Sequence, residues 1–525
     1  MDIVWLALAF ACGWIAQQLT LPPLVGFLAA GFGLRALGAD GGELLQQIAD
    51  LGITLLLFTI GLKLNLRSLL RPEIWAGTSL HMAITIVVSV AVLWLLGLSG
   101  LAPIAGLPVT TLALIAFALS FSSTVFAIKA LESRGELSSR HGRVAIGILI
   151  MQDIIAVVFL AASSGKQPSA WAFLLLLLPL LKPFVMLIMH KTGHDELLLL
   201  FGLVAAIAGA DLFELVGMKA DLGALAFGVL LGGHRKSSEL AKIMLHFKNL
   251  FLIGFFLTIG LSGLPGPREF GIALLLTLIM PFKFLLFFTI LTRFHLRART
   301  AMLTALNLSN YSEFGLIVAA IGVTNAWLSN EWLVIIALAL SFSFIYASIF
   351  SSMEHRLYAR FEHLLLPFES DTRLAEDEIV TPGDAEVLIF GLGRTGGNAY
   401  RAMREDYGDR VCGVDYDQTR VDAYKKLGWR VIRGDATDAD FWRAIDHQQI
   451  RMVMLALPSF NENLAAVKEL RSAGYPGFIA ATAHFDDERA RLESAGADAA
   501  FNIFAEAGAG FAAHARSSYE SPRRT

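Results

Sequence analysis

Asp153 stands in the run Ile148-Leu149-Ile150-Met151-Gln152-Asp153-Ile154-Ile155, apolar on both sides. A carboxylate at the depth of a bilayer is costly and is read first as a functional group. Stripped of water, it needs a neutraliser, and a proton or a bound monovalent cation can serve, hardly both at once. That competition alone makes an exchanger, moving one cation per proton. On residues alone, a structural Asp bonded to helix backbone or serine hydroxyls is the alternative. Ser120-Phe121-Ser122-Ser123-Thr124 sets hydroxyls in the middle of another apolar run. Such hydroxyls close on their own backbone and loosen a helix, or simply pack at helix contacts. Asn307-Leu308-Ser309-Asn310-Tyr311-Ser312-Glu313-Phe314-Gly315 is a second polar break, in a distant apolar run. Two interrupted spans in distant halves point to a transporter built from inverted repeats, whose helix ends and carbonyls face ions. Glu313 reads equally as a second ion or proton site and as the structural partner of a basic residue. Lys283, in Pro281-Phe282-Lys283-Phe284, needs an acid or helix C-terminal carbonyls beside it. It neutralises a broken-helix end, pairs with Asp153 or Glu313, or snorkels to an interface. The candidate ion and proton site is Asp153, Gln152, Ser122, Ser123, Thr124, Glu313, Asn310 and Lys283, with Asp153 meeting the metal cation.

A second constellation lies near the C-terminus. Glu386-Val387-Leu388-Ile389-Phe390 reads as a strand, and Gly391-Leu392-Gly393-Arg394-Thr395-Gly396 follows directly and opens a helix. In that context the glycines let backbone approach phosphate at a helix N-terminus. The next strand, Val411-Cys412-Gly413-Val414-Asp415, ends in an acid 22 residues after Gly393, where a carboxylate accepting from ribose hydroxyls is expected. Gly434-Asp435-Ala436-Thr437 follows the third strand and is placed to contact the adenine side. The candidate nucleotide residues are Gly391, Gly393, Arg394, Thr395, Gly396, Asp415, Asp435, Ala436 and Thr437. The alternative is a Rossmann-like fold with no ligand. No substrate half follows, so the expectation is a sensor rather than a dehydrogenase.

The elements that must position these groups fall into two classes. The chain has 525 residues, 55% hydrophobic and 17% charged, with mean hydropathy +0.61, which excludes a single soluble globule. Residues 1–370 hold 23 Lys and Arg against 20 Asp and Glu, while residues 371–525 hold 19 against 25. A large membrane domain followed by a soluble one is expected, and neither is basic enough for nucleic acid. Thirteen apolar spans are candidates for crossing: 2–19, 22–38, 45–66, 72–98, 109–131, 141–164, 169–190, 194–212, 217–234, 246–263, 269–293, 299–323 and 330–353. Fifteen Lys and Arg fall in one set of loops, including Lys63, Arg67, Lys129, Arg134, Arg140 and Arg143, against Arg35, Lys166, Lys219 and Arg268 in the other. The basic side is cytoplasmic, so the N-terminus lies outside and the C-terminal domain inside. The first apolar run reads as a retained helix rather than a signal peptide. Cys12 and Cys412 fall in different domains and suggest neither a metal site nor a disulfide. After an acidic linker, strands are expected at 386–390, 411–415, 429–433, 451–457, 477–482 and 499–503, alternating with helices at 395–406, 418–427, 438–447, 461–473 and 486–495. That alternation implies a doubly wound parallel sheet. The domains are thus 1–353 for exchange, 354–384 as linker, 385–515 for nucleotide and 516–525 as tail.

Taken together, Gln152-Asp153, Ser122-Ser123-Thr124, Ser312-Glu313-Phe314, Gly391-x-Gly393-x-x-Gly396, Asp415 and Gly434-Asp435-Ala436-Thr437 resemble the Kef-type branch of the monovalent cation:proton antiporters. The resemblance implies an all-α, sodium/proton-antiporter-like membrane domain with crossed broken helices and a cytosolic RCK (TrkA-N type) Rossmann domain. It also implies a bacterial inner-membrane homodimer, exchange of K+ (or Na+) for H+ at Asp153 with Gln152 beside it, elevator-like movement of the core, and AMP or NAD(H) in the RCK domain. Glutathione-gated members carry Arg after Gly477, where this chain reads Ala480-Ala481-Thr482-Ala483-His484, so the resemblance by itself does not imply glutathione gating. Two other functions are weighed. Against a nucleotide-gated cation channel, this sequence shows no carbonyl filter of the T-V-G-Y-G kind; against an NAD-dependent membrane oxidoreductase, it shows no substrate half.

Overall fold

A computed structural model describes residues 3–520, apart from 20, 40, 64–69, 138, 164–168, 170, 172–174, 176, 194–195, 219, 233–234, 371, 375–376, 379 and 446–447. Of the basic loop residues weighed above, Arg67, Lys166 and Lys219 lie outside the described residues, as does the side chain of Lys63. The chain divides into two compact units, Met1–Ala127 with Val144–Glu369, and Ile128–Arg143 with Ser370–Thr525.

The first unit is helical. In chain order its helices are α1 (Ile3–Gln18), α2 (Pro23–Ala36), α3 (Glu43–Lys63), α4 (Pro72–Leu98), α5 (Val109–Ser120), α6 (Thr124–Arg134), α7 (Arg140–Ala162), α8 (Leu178–Lys191), α9 (Glu196–Leu215), α10 (Ala220–Leu231), α11 (Arg235–Leu261), α12 (Pro267–Thr277), α13 (Met280–Arg293), α14 (Ala298–Leu308), α15 (Glu313–Thr324) and α16 (Asn330–Leu365). Helices α6 and α7 run on into the hairpin Ile128–Arg143 of the other unit. Seven described segments are long and apolar enough to cross a membrane: Glu43–Leu62, Pro72–Leu98, Val109–Arg134, Arg140–Leu160, Glu196–Leu215, Pro267–Arg293 and Asn330–Ser351. The count of thirteen crossings goes beyond those seven, because several of the remaining apolar helices are shorter than a bilayer core requires. One group packs α3 with α10 and α11, α2 with α1 and α11, and α9 with α10. In the other, α4 lies on α5, α5 on α15, α13 on α14, and α16 on α12, α14 and α15. Helix α16 continues unbroken to Leu365, into the stretch 354–384 expected as linker.

The second unit is a doubly wound sheet. Its strands β1 (Val387–Phe390), β2 (Val411–Asp415), β3 (Val431–Arg433), β4 (Met452–Leu455), β5 (Phe478–Ala483) and β6 (Ala499–Asn502) are all parallel, in the order β3-β2-β1-β4-β5-β6. The connections are α17 (Arg394–Tyr407), α18 (Gln418–Lys426), α19 (Ala439–Arg443), α20 (Phe460–Ser472) and α21 (Asp486–Ser494). Leu388, Phe390, Cys412 and Val414 pack on one face, and Val387, Ile389 and Val411 on the other. Burial on both faces is why β1 and β2 read as continuous apolar runs. The order reverses between β1 and β4, which opens a crevice beyond their carboxyl ends. A last helix, α22 (Ile503–Glu520), occupies a stretch for which no helix was expected.

Candidate functional site

The membrane constellation is assembled from two broken helices. Helix α5 ends at Ser120, with Phe121 extended (φ −70°, ψ 152°), and α6 restarts at Thr124. Helix α14 ends at Leu308 and α15 restarts at Glu313, where Ser312 caps it by accepting from the Phe314 N–H at 3.2 Å. The two breaks are stitched to each other. The Ser122 hydroxyl donates to the Leu308 carbonyl at 2.7 Å, and the Ser123 N–H donates to Asn310 Oδ1 at 2.6 Å. A methyl group on Gly315 would collide with the Ala118 carbonyl, so the half-helices meet at van der Waals limits.

Each sequence candidate lands in this cluster. The Ser122 N–H donates to Gln152 Oε1 at 2.8 Å, and the Thr124 hydroxyl stands 3.4 and 3.3 Å from the two carboxylate oxygens of Asp153. Asp153 is 3% exposed and Gln152 fully buried. The Ser123 hydroxyl donates to Glu313 Oε2 at 2.9 Å, and the Ser312 hydroxyl approaches the same oxygen at 3.4 Å. Lys283 Nζ donates to the carbonyls of Phe121 at 2.9 Å and Asn310 at 2.8 Å, with Leu119 O at 3.5 Å and the Ser122 hydroxyl at 3.4 Å. Of the three expectations for Lys283, this is the neutralised broken-helix end: a cation set on the negative ends of α5 and α14. The buried Gln152 Nε2 and Glu313 Oε1 have no hydrogen-bond partner. Two unsatisfied polar atoms at the crossing mark polar capacity beyond what the fold itself uses. Sequence reasoning missed Tyr311, whose hydroxyl donates to the Leu276 carbonyl at 2.7 Å and whose ring centroid lies 5.3 Å from Lys283 Nζ. It also missed Ser343, which accepts from the Tyr311 N–H at 2.9 Å. Both signals lay in reach: a tyrosine inside a polar break, and a serine inside a long apolar helix.

The crevice of the second unit holds a cavity of about 310 Å³, the lower end of the size range of small-molecule sites. Gly391, Gly393, Arg394, Thr395, Asp415, Asp435, Ala436 and Thr437 line it; Gly396 does not. Gly391 has φ +81°, and a Cβ there would lie 2.5 Å from the Ala456 carbonyl. Gly396 instead packs against the Gly391 carbonyl, so its role is helix packing. At Gly393, the N-cap of α17, a Cβ would meet nothing within 4 Å. That free volume in front of the first turn is the space a phosphate takes at a helix N-terminus.

Asp415 is engaged on both oxygens. Oδ2 accepts from the Leu392 N–H and from Arg420 Nη1, each at 2.8 Å, and Oδ1 accepts from the Asp417 N–H at 2.9 Å. It therefore shapes the glycine loop as well as lining the cavity. For Arg420, burial works against the charge, but Asp415 and Asp417 outweigh it and hold the guanidinium above its ordinary value. Asp435 Oδ1 accepts from the N–H and hydroxyl of Thr437 at 2.9 and 2.7 Å, fixing that loop. Burial pushes the Cys412 thiol up to about 12, so it stays protonated and is no thiolate switch. Lining residues missed from the sequence include Tyr416, Arg420, Glu462, Thr482, His484 and Gly135. Tyr416 follows the β2 acid directly and Arg420 lies in the first turn of α18, while Gly135 comes from nowhere near the Rossmann sequence.

Comparison with known proteins gives the same two-part division. The model of the family "Sodium/hydrogen exchanger, transmembrane" matches residues 6–352, and that of the TrkA-N domain matches residues 387–503. The relative named "Putative cation/proton antiporter YbaL" of Escherichia coli strain K12 is 27% identical over 94% of this chain and 92% of its own. The glutathione-regulated potassium-efflux system protein KefC of Salmonella schwarzengrund is 27% identical over 92% of this chain and 79% of its own. Among solved structures, the sodium proton antiporter MjNhaP1 of Methanocaldococcus jannaschii has a TM-score of 0.49 at 15% identity, covering 69% of this chain and 97% of that one.

Proposed function

Because this chain belongs to the sodium/hydrogen exchanger family, and so is a multi-pass transporter rather than an enzyme, we propose that it exchanges a monovalent cation, K+ before Na+, for a proton at Asp153. The observation that carries the proposal is the placement of the Asp153 carboxylate beside the Thr124 hydroxyl, where a broken helix restarts. A dehydrated carboxylate there is neutral with a proton or neutral with an alkali cation, and it exchanges one for the other. Ser122 and Thr124 supply hydroxyl oxygen, and Gln152 holds the Ser122 backbone through Oε1 while its Nε2 keeps an unused donor. Lys283 and Asn310 hold the crossing together. Glu313 acts as a positioning residue through Ser123. With one titrating carboxylate the cycle is electroneutral.

The cytosolic unit binds an adenine nucleotide, AMP or NAD(H), with phosphate at the α17 N-terminus and ribose at Asp415 and Arg420. The glycine cradle and the free space at Gly393 support that fit. Residues 1–353 carry out exchange, 354–384 link, 385–515 sense nucleotide and 516–525 form the tail. The chain works in the bacterial inner membrane, in contact with lipid, with its N-terminus outside and the nucleotide domain in the cytoplasm. It works as a homodimer, to which the exposed Phe504 and Phe511 of α22 are suited (64% and 75% exposed).

The test is proton flux in proteoliposomes driven by a K+ gradient and followed with a trapped pH dye. The wild type is expected to move protons against K+, and Asp153→Asn to move none while eluting as a folded protein. Cation-coupled flux surviving in that variant would refute the assignment.

A further inference from the structure

Gly135 lines the nucleotide cavity, although it lies some 250 residues before the Rossmann sequence. It sits in the hairpin Ile128–Arg143, which belongs to the same compact unit as Ser370–Thr525. Its attachment is specific. Gly135 has φ +72°, and a Cβ there would lie 2.5 Å from the backbone of Asn461 and Glu462, in the first turn of α20. Only glycine permits both that conformation and that approach. Asn461 Nδ2 donates to the Glu132 carbonyl at 3.2 Å. The Arg143 guanidinium lies 5.1 Å from the ring centroid of Tyr416, which itself lines the cavity beside Asp415, a cation–π contact.

The hairpin is braced within itself as well. Glu136 Oε2 accepts from Arg134 Nε at 2.9 Å and lies 3.2 Å from His141 Nε2, while the Ser139 hydroxyl donates to the Glu136 carbonyl at 2.7 Å. The hairpin's two arms are the ends of α6, which begins at Thr124, and of α7, which carries Asp153.

We propose that the hairpin Ile128–Arg143 completes the nucleotide site, with Gly135 as its outer wall, so that a phosphate-bearing nucleotide is read by the very segment that joins Thr124 to Asp153. This rests on the nucleotide reading given above and adds to it a wall from outside the Rossmann sequence. A filled cavity holds the hairpin against α20 and Tyr416; an empty one leaves those contacts unsupported by ligand. By linkage, whatever conformation of the hairpin binds nucleotide better is the one that nucleotide populates.

The test is hydrogen–deuterium exchange on the full-length protein in detergent, with and without AMP and, separately, NADH. The expected result is slowed exchange in 387–397 and 411–420 and, with the same dose dependence, in 128–143. Gly135→Ala and, as a milder change, Asn461→Ala are expected to weaken AMP binding at least about tenfold and about threefold, roughly 1.4 and 0.6 kcal/mol. They are also expected to bring the ratio of proton flux with and without AMP toward one. Protection of the Rossmann segments with none in 128–143, or unchanged AMP affinity in folded Asn461→Ala, overturns the hairpin's role and leaves nucleotide binding standing. No protection anywhere with either nucleotide overturns both.

Discussion

At the scale of single residues, the proposed exchange divides the buried polar groups of the crossing into one that changes charge and several that do not. Competition for one carboxylate has a pH signature of definite sign. Protons displace the cation, so the apparent KM for K+ is expected to rise on acidification, approaching about tenfold per pH unit once Asp153 is mostly protonated. Initial rates of K+-driven flux at several pH values check this, and a pH-independent KM would contradict it. Lys283 belongs to the other class. Its ammonium satisfies the Phe121 and Asn310 carbonyls, and an orphaned buried acceptor costs about 1–3 kcal/mol. Lys283→Met is therefore expected to lower the apparent Tm in detergent and to abolish exchange, whereas Asp153→Asn, whose amide can still meet the Thr124 hydroxyl, abolishes exchange with a Tm close to wild type. Equal Tm values for the two variants would argue against the division.

At the scale of elements, glycines and breaks fix what the side chains can reach. Gly391 is held at φ +81° against the Ala456 carbonyl, so Gly391→Val is expected to eliminate AMP binding measured by calorimetry on the full-length protein; retained affinity would show that the loop is not the phosphate cradle. Much at this scale was legible in the sequence. The strands fall within two residues of their expected bounds, because buried parallel strands are written as short apolar runs closed by glycine and acid. The two broken helices were legible because hydroxyls and amides interrupt runs that are otherwise apolar. Helix α22 was not, since alanines and glycines with scattered phenylalanines carry neither a clear helical stripe nor a strand pattern. Gly135 was out of reach for a different reason: one glycine in a polar turn says nothing of which distant helix it will touch. The choice for Lys283 between carboxylate and carbonyls likewise depended on how two helices cross, not on local pattern.

At the scale of the whole molecule, the proposed division between turnover and control falls on a charge-poor helical unit and a charge-rich sheet unit. A single titrating carboxylate implies that no net charge crosses in a cycle. An imposed potential of 100 mV is worth about 2.3 kcal/mol per net charge moved, enough to change a rate-limiting electrogenic step by more than tenfold. The rate of Na+- or K+-driven flux is therefore expected to stay within experimental scatter when that potential is applied, and a rate that follows voltage would mean that Glu313 also titrates. Competition between cation and proton can be measured without a membrane. Purified protein in weakly buffered detergent solution is titrated with K+ while free protons are counted. Release of up to one proton per chain is expected from the wild type and from Glu313→Gln, saturating with K+, and none from Asp153→Asn. Release that persists in Asp153→Asn, or K+ binding to the wild type with no proton released at any pH, would contradict it.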